Sequence, residues 1–203
     1  IVDSAATLGV LLHEFDWKQE QFDLLSAGCL AGHLIECSAQ VTGGNFTDWE
    51  SAESLSEQAF PVVEVFSDGN IELTKCDTVD SGVVNFATVA EQLVYEIADP
   101  QNYLLPDVNC DWSQVKIAEH AKKNSVRISG AKGKAPTDSL KIACTRKTGY
   151  QCNIQFLMGG IDARKKAETT AANILNKVNH ICAQSELKKI DDVRMQFLGY
   201  DNV

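Results

Sequence analysis

Two rhythms of apolar residues run along this chain. In one, hydrophobic positions return every three to four residues, as on one face of a helix. In the other they alternate with polar ones, as on a strand. The helical rhythm occupies residues 3–13, with Asp3 or Ser4 as cap, and breaks at Phe15 to Trp17. It resumes near Lys18 and runs to Leu25. The small-residue patch Ser26-Ala27-Gly28 follows, and then an alanine- and glycine-rich helix over 29–40. Small residues of this kind let a helix lie close to a neighbouring backbone. Phe60 to Phe66 and Ile71 to Lys75 read as a β-hairpin across Ser67-Asp68-Gly69-Asn70. A helix over 84–97 carries the stripe Phe86, Val89, Ala90, Leu93, Val94 and Ile97, and Asp99-Pro100 ends it. Tyr103 to Val108 is extended, and strand-like pieces follow at 108–111, 115–119 and 125–129. Residues 130–134 turn. A second hairpin pairs 140–145 with 150–157. A long helix over 162–182 and a closing strand over 193–198 complete the pattern.

The fold class this predicts is mixed α/β (α+β). A mainly antiparallel or mixed sheet is covered by the 29–40, 86–97 and 162–182 helices. The 150–157 strand, the long helix and the 193–198 strand suit a right-handed parallel crossover at the C-terminal end. With 203 residues and 44% hydrophobic content, the chain reads as one domain or a domain fragment. A helical pattern already under way at Ile1 suggests a piece of a longer protein, with an upstream segment of that protein, or a partner chain, beside it.

Charge divides the chain. Residues 1–111 hold 20 Asp and Glu but only Lys18 and Lys75; residues 112–203 hold 8 Asp and Glu and 16 Lys and Arg. Halves with matched fields suit packing against each other, or a basic half facing an anionic ligand. The net charge of −10 argues against nucleic acid. No apolar run is long enough to span a bilayer, and no signal-peptide pattern opens the sequence. The seven cysteines form no CxxC pair and suit reduced thiols in the cytoplasm or an organelle matrix, not a secreted protein. Asn45-Phe46-Thr47 then reads as a chance sequon.

The densest chemistry lies between Gly28 and Trp49. Cys29, His33, Glu36 and Cys37 fall within three helical turns, with His33 three residues from Glu36 and four from Cys37. Imidazole and carboxylate on one face suit acid–base work, and Cys37 or Cys29 with His33 as base suits a nucleophile. His33, Glu36 and Cys37 also offer zinc-type ligands, whereas Cys29 and Cys37 lie about 12 Å apart along the axis, too far for one ion. The plain alternative is a buried helix with satisfied polar contacts. Thr42, Gly43, Gly44 and Asn45 form a turn whose backbone amides suit an anion, or a helix end. Gly159, Gly160, Ile161 and Asp162 precede the long helix, with Arg164, Lys165 and Lys166 in its first turn, where the dipole disfavours cations. An anion at that helix start, or docking onto the acidic half, explains the reversal. Lys132, Lys134, Lys141, Arg146 and Lys147 form a basic run: a solvated strand face, or a contact for a phosphate-bearing substrate such as a coenzyme A thioester. Glu91, Gln92, Tyr95 and Glu96 read as an exposed polar helix face, or, with Glu91 and Tyr95 four apart, as a second acid/base pair.

Residues 31–49 (A-G-H-L-I-E-C-S-A-Q-V-T-G-G-N-F-T-D-W), 87–108 (A-T-V-A-E-Q-L-V-Y-E-I-A-D-P-Q-N-Y-L-L-P-D-V) and 126–141 (V-R-I-S-G-A-K-G-K-A-P-T-D-S-L-K) resemble the acyclic terpene utilisation family, AtuA. The closing M-Q-F-L-G-Y-D-N-V is similar to that family's domain end. The resemblance spans nearly the whole chain, in order, as the second part of the family's main domain. Where the family usually has a glycine-rich turn after the hairpin, this chain has Asp77-Thr78-Val79-Asp80-Ser81-Gly82.

The resemblance implies a part in breakdown of acyclic isoprenoids such as citronellol and geraniol, through branched acids and their coenzyme A esters. It brings no catalytic residue or cofactor with it. With the residues, it suggests a metabolic enzyme working by hydration, lyase or acyl-transfer chemistry on a small molecule, since no dinucleotide fingerprint for NAD or FAD is present. A non-catalytic subunit or scaffold, and a protein with a structural metal site, are the alternatives. A homo-oligomer is compatible with either role.

Overall fold

The structure is a computed structural model that describes residues 4–52, 57–140, 142 and 144–199. Asp3 as a cap, Lys141 of the basic run and the last residues of the closing stretch lie outside the described residues. The chain divides into two compact units, Ile1–Cys144 and Thr145–Val203.

The first unit is built on α2 (Phe22–Glu36), which contacts α1 (Ser4–Phe15), α3 (Phe86–Val94), and strands of two sheets. Ser26-Ala27-Gly28 does not interrupt α2, so the two predicted helices over 18–40 are one, shorter at both ends. The reason is packing. A Cβ at Gly28 would press on the Leu8, Leu11 and Trp17 side chains, and one at Gly32 would come 2.5 Å from the Ser4 Cα. The small residues mark where α1 crosses against α2. From Leu25 to Leu34 every residue of α2 is buried. At about 2 kcal/mol for each large apolar side chain removed from water, Leu25, Leu30 and Leu34 anchor the helix more firmly than its composition does.

Four antiparallel strands form the larger sheet in the order β1 (Pro61–Val65), β2 (Ile71–Lys75), β6 (Ser125–Ser129), β5 (Lys116–Glu119). Alternation sets its buried face: Ile71 lies opposite Ile128, and Leu73 opposite Val126, all in the core. The β1–β2 turn is the expected one. Gly69 takes the left-handed φ of 82° that a side chain would resist, and Asp68 accepts from the Asn70 amide at 3.0 Å.

The smaller sheet runs β3 (Tyr103–Leu104), β4 (Asn109–Asp111), β7 (Lys132–Lys134). The predicted turn over 130–134 is therefore half strand. Gly133 lies so close to the Phe22 carbonyl that a Cβ there would come within 2.0 Å of it, and Asp23 accepts from the Gly133 amide and from Lys132 Nζ.

In α3, Asn85 and Thr88 make a reciprocal capping box. Its buried face is Thr88, Val89 and Gln92; Phe86 and Val94, expected in the stripe, are exposed. The predicted 84–97 helix begins later and ends at Val94 because the Asn85 cap fixes its start and Tyr95 turns extended.

In the second unit, α4 (Ala163–Gln184) forms as predicted. The hairpin of 140–145 with 150–157 and the 193–198 strand do not form ladders among the described residues, so the parallel crossover is not seen. None of the described residues of this unit is buried.

Candidate functional site

The last turn of α2 brings His33 and Glu36 together: His33 Nδ1 lies 2.8 Å from Glu36 Oε1. His33 is 1% exposed and the Glu36 side chain 21%. A carboxylate accepts only, so as an ionised partner Glu36 takes the hydrogen bond from Nδ1. Nε2 is buried with no hydrogen-bond partner among the described residues. The imidazole is shut in by two rings, with centroids 5.2 Å away for Trp112 and 6.3 Å for Tyr103. Behind it, Gln92 Nε2 donates to the His33 carbonyl at 2.8 Å, and Gln40 Nε2 donates to Gln92 Oε1 at 2.9 Å. Gln92 is thus a buried link between α3 and α2, not part of an exposed polar face.

Cys29 points elsewhere. It lies against the Cys110 thiol of β4, and that contact, with help from Ser26, holds Cys110 below the usual thiol value against the opposing effect of burial. Trp112 Nε1 donates to Ser26 Oγ at 3.1 Å. Ser26, Cys29 and His33 recur one and two turns apart, so one stripe of α2 carries hydroxyl, thiol and imidazole into the interface with β4. Cys37 is half-buried at the helix end, one residue beyond Glu36.

The turn over 42–45 is a helix end. Gly43, with φ of 98°, closes a 3-10 turn over Ser38–Thr42, and its amide donates to Gln40; the Gly44 amide donates to Ala39 at 2.8 Å. Those two amides are engaged within the turn, as at a helix end. Thr42 Oγ1 is also engaged, at 2.6 Å from the Ala59 carbonyl. Asn45 is exposed.

Gly159, Gly160, Arg164 and Lys165 belong to the second unit. Asp162 stands at the α4 N-cap position but is left-handed, with φ of 59° and no side-chain cap bond. Arg164 pairs with Glu168 at 2.7 Å, one turn on, which offsets part of its unfavourable place in the first turn. In the basic run, Lys132 pairs with Asp23 and Lys134 approaches Asp111, so two of its cations meet carboxylates of the acidic half.

Among the described residues, no three His, Cys, Asp or Glu side chains converge closely enough to hold a metal ion. Two shallow depressions, of about 320 Å³ beside Thr47 to Ser51 and about 360 Å³ beside Glu20 to Leu24, do not include His33 or Glu36.

Sequence spacing missed Gln92, Trp112, Tyr103 and Cys110. Gln92 was legible: Thr88, Val89 and Gln92 form a helical stripe of their own once Asn85 is taken as the cap.

The class defined so far is a mixed α+β protein whose most reactive side chains converge on the inner face and last turn of one helix. The family model for acyclic terpene utilisation family protein AtuA matches residues 1–203, and the chain belongs to that family. Membership points to acyclic terpene utilisation without specifying a reaction. No curated protein and no solved structure matches the chain. Among the described residues no helix is long and apolar enough to cross a membrane.

Proposed function

We propose that this chain acts in isoprenoid breakdown as a metabolic enzyme on branched acids or their coenzyme A esters, with Glu36 as the proton-transferring group. The observation that carries this reading is the His33–Glu36 pair. An imidazole buried with one nitrogen unpaired costs about 1–3 kcal/mol. A core has no need of that cost, and local rules broken in this way tend to mark function. His33 is a positioning residue: its Nδ1–H fixes one Glu36 oxygen and leaves the other for solvent or substrate. A carboxylate so held removes a proton from a carbon beside a thioester carbonyl, or from water adding to a double bond, which suits lyase, hydratase or acyl-transfer chemistry. Cys37, one residue on, would line the same place. The cysteine pattern of the sequence, seven thiols with no CxxC pair, is what supports a cytoplasmic or matrix setting.

The burial of His33 and the engaged Gly43 and Gly44 amides favour a second reading, a non-catalytic subunit of the same pathway. One experiment separates them: turnover of branched and isoprenoid coenzyme A esters by the wild-type chain and by Glu36→Gln. The enzyme reading expects a loss of about 10²-fold or more in kcat with unchanged folding, because Glu36 reaches the surface. Equal turnover by both proteins removes Glu36 from the chemistry. No turnover by either favours the subunit.

A further inference from the structure

Gln92 stands where the inward stripe of α3 calls for an apolar side chain. It follows Thr88 and Val89 by one turn, shares their buried face, and is 0% exposed. Burying an amide costs free energy unless both of its ends are bonded. Here both are: Nε2 donates to the His33 carbonyl at 2.8 Å, and Oε1 accepts from Gln40 Nε2 at 2.9 Å. The first of these bonds repairs the end of α2. In a continuing helix the Cys37 amide would donate to the His33 carbonyl, four residues back. At this helix end the Cys37 amide turns to the Ile35 carbonyl instead. The donor that the backbone withdraws is supplied from α3, at the very residue whose ring holds Glu36.

We propose that Gln92 is a positioning residue for the His33–Glu36 pair: its amide, oriented by Gln40, fixes the last turn of α2 and with it the Glu36 carboxylate. The effect on turnover rests on the reading of Glu36 as the proton-transferring group, whereas the placement of the pair is measurable in the protein itself. An amide suits this task because its two ends differ. The N–H end must meet a carbonyl and the C=O end a donor, so Gln40 sets which end faces α2. α2, α3 and the 3-10 turn over Ser38–Thr42 are thereby tied at one point behind the pair. An apolar side chain of the same size would fill the space, but it would leave the His33 carbonyl and the Gln40 amide without these partners.

The test follows the ring-nitrogen NMR signals of His33 in the full 203-residue chain, identified as those that Glu36→Gln shifts. Gln92→Met keeps the length of the side chain and removes both bonds. It is expected to shift the His33 Nδ1 signal and to speed exchange of the Nδ1 proton with water about tenfold or more. Gln92→Glu keeps the acceptor for Gln40 and donates to the His33 carbonyl only while its carboxyl is protonated. Its His33 signal is expected to match that of the wild type at acid pH and to depart from it as pH rises. Val89→Ala is the control: it thins the same buried face of α3 without touching the His33 carbonyl, and should leave the signal in place. With branched coenzyme A esters, Gln92→Met should lower kcat about tenfold or more and change KM less than about twofold. An unmoved His33 signal in Gln92→Met, an equal shift in Val89→Ala, or no histidine shifted by Glu36→Gln overturns the proposal. So does an unchanged kcat where the wild type turns over. If Gln92→Met does not fold, Gln92→Glu decides, and a His33 signal displaced equally at every pH, or at none, overturns it. Absence of turnover by the wild type removes the enzyme reading instead, and the ring signals still decide the role of Gln92.

Discussion

The helices α2 and α4 are held in different ways. Ten of the fifteen residues of α2 are buried; of the twenty-two in α4, none is. α2 contains two glycines and a histidine, poor helix formers, and exists because α1, α3 and two sheets enclose it. α4 is rich in alanine, with three lysines and a single glutamate, carries an Arg164–Glu168 pair, and leans on local preference. The lesson is that the two units store stability in different places: the first in tertiary packing, the second in local helix formation.

The largest test of that contrast removes one apolar side chain from each helix. Leu30 is 0% exposed and lies in the core, so Leu30→Ala should cost about 3–4 kcal/mol through lost burial and the cavity left behind. Ile181 in α4 is 45% exposed, and Ile181→Ala should cost less than about 0.5 kcal/mol. Urea unfolding measures both. Similar losses would mean that α4 is packed as tightly as α2, and the contrast would fall.

A smaller effect comes from adding a methyl group. At Gly32 the new Cβ meets the Ser4 backbone, which has no rotamer to yield, so α1 must move; Gly32→Ala should cost about 2–3 kcal/mol. At Gly159 nothing lies within 4 Å, and Gly159→Ala should be neutral within about 0.5 kcal/mol. Thermal unfolding of the two variants decides. A neutral Gly32→Ala would show that α1 is free to shift, and would locate the stability of the first unit in its sheets.

The same contrast explains what the sequence made legible. The β1–β2 hairpin was readable because alternation and the Asp68-Gly69-Asn70 turn are local, and each element agrees with the other. The break proposed at Ser26-Ala27-Gly28 failed because small residues look like a loop until the helix that crosses them is known. The hairpin expected over 140–145 and 150–157 is not seen among the described residues, because a strand's partner lies outside its own sequence. At the site, spacing brought His33 and Glu36 together. Nothing in that spacing reveals that Trp112, nearly eighty residues on, would seal the imidazole, or that Cys29 would turn to Cys110 instead. Long-range contacts decide which nitrogen of a histidine meets water, and a single sequence carries no local trace of them.

The smallest effect concerns how charge joins elements in each unit. In the first unit Asp23, in the opening turn of α2, accepts from Lys132 Nζ at 2.8 Å and from the Gly133 amide at 3.0 Å, tying α2 to β7. The Lys132 hydrogen bond is the main cause that holds its carboxyl below the usual 3.8, with the Gly133 amide helping and slight burial opposing. A carboxyl whose folded value is depressed stabilises the fold above its unfolded value and loses that contribution as pH falls through the folded one. Asp23 is half exposed, so solvent screening keeps the gain below about 1 kcal/mol. Asp23→Asn should therefore lower the stability of the first unit slightly at pH 7, and the difference from wild type should shrink below about pH 4 and vanish once both states are protonated. The counterpart in the second unit is Glu168→Gln, which breaks an i,i+4 pair inside one helix. It should lower α4 helix content by a few tenths of a kcal/mol, and leave unfolding of the first unit unchanged. Stability curves at several pH values, followed by tryptophan fluorescence, report the first unit alone, because Trp17, Trp49 and Trp112 all lie in it. A pH-independent effect of Asp23→Asn would assign the α2–β7 tie to the Gly133 contact and packing, with the Lys132 charge contributing nothing.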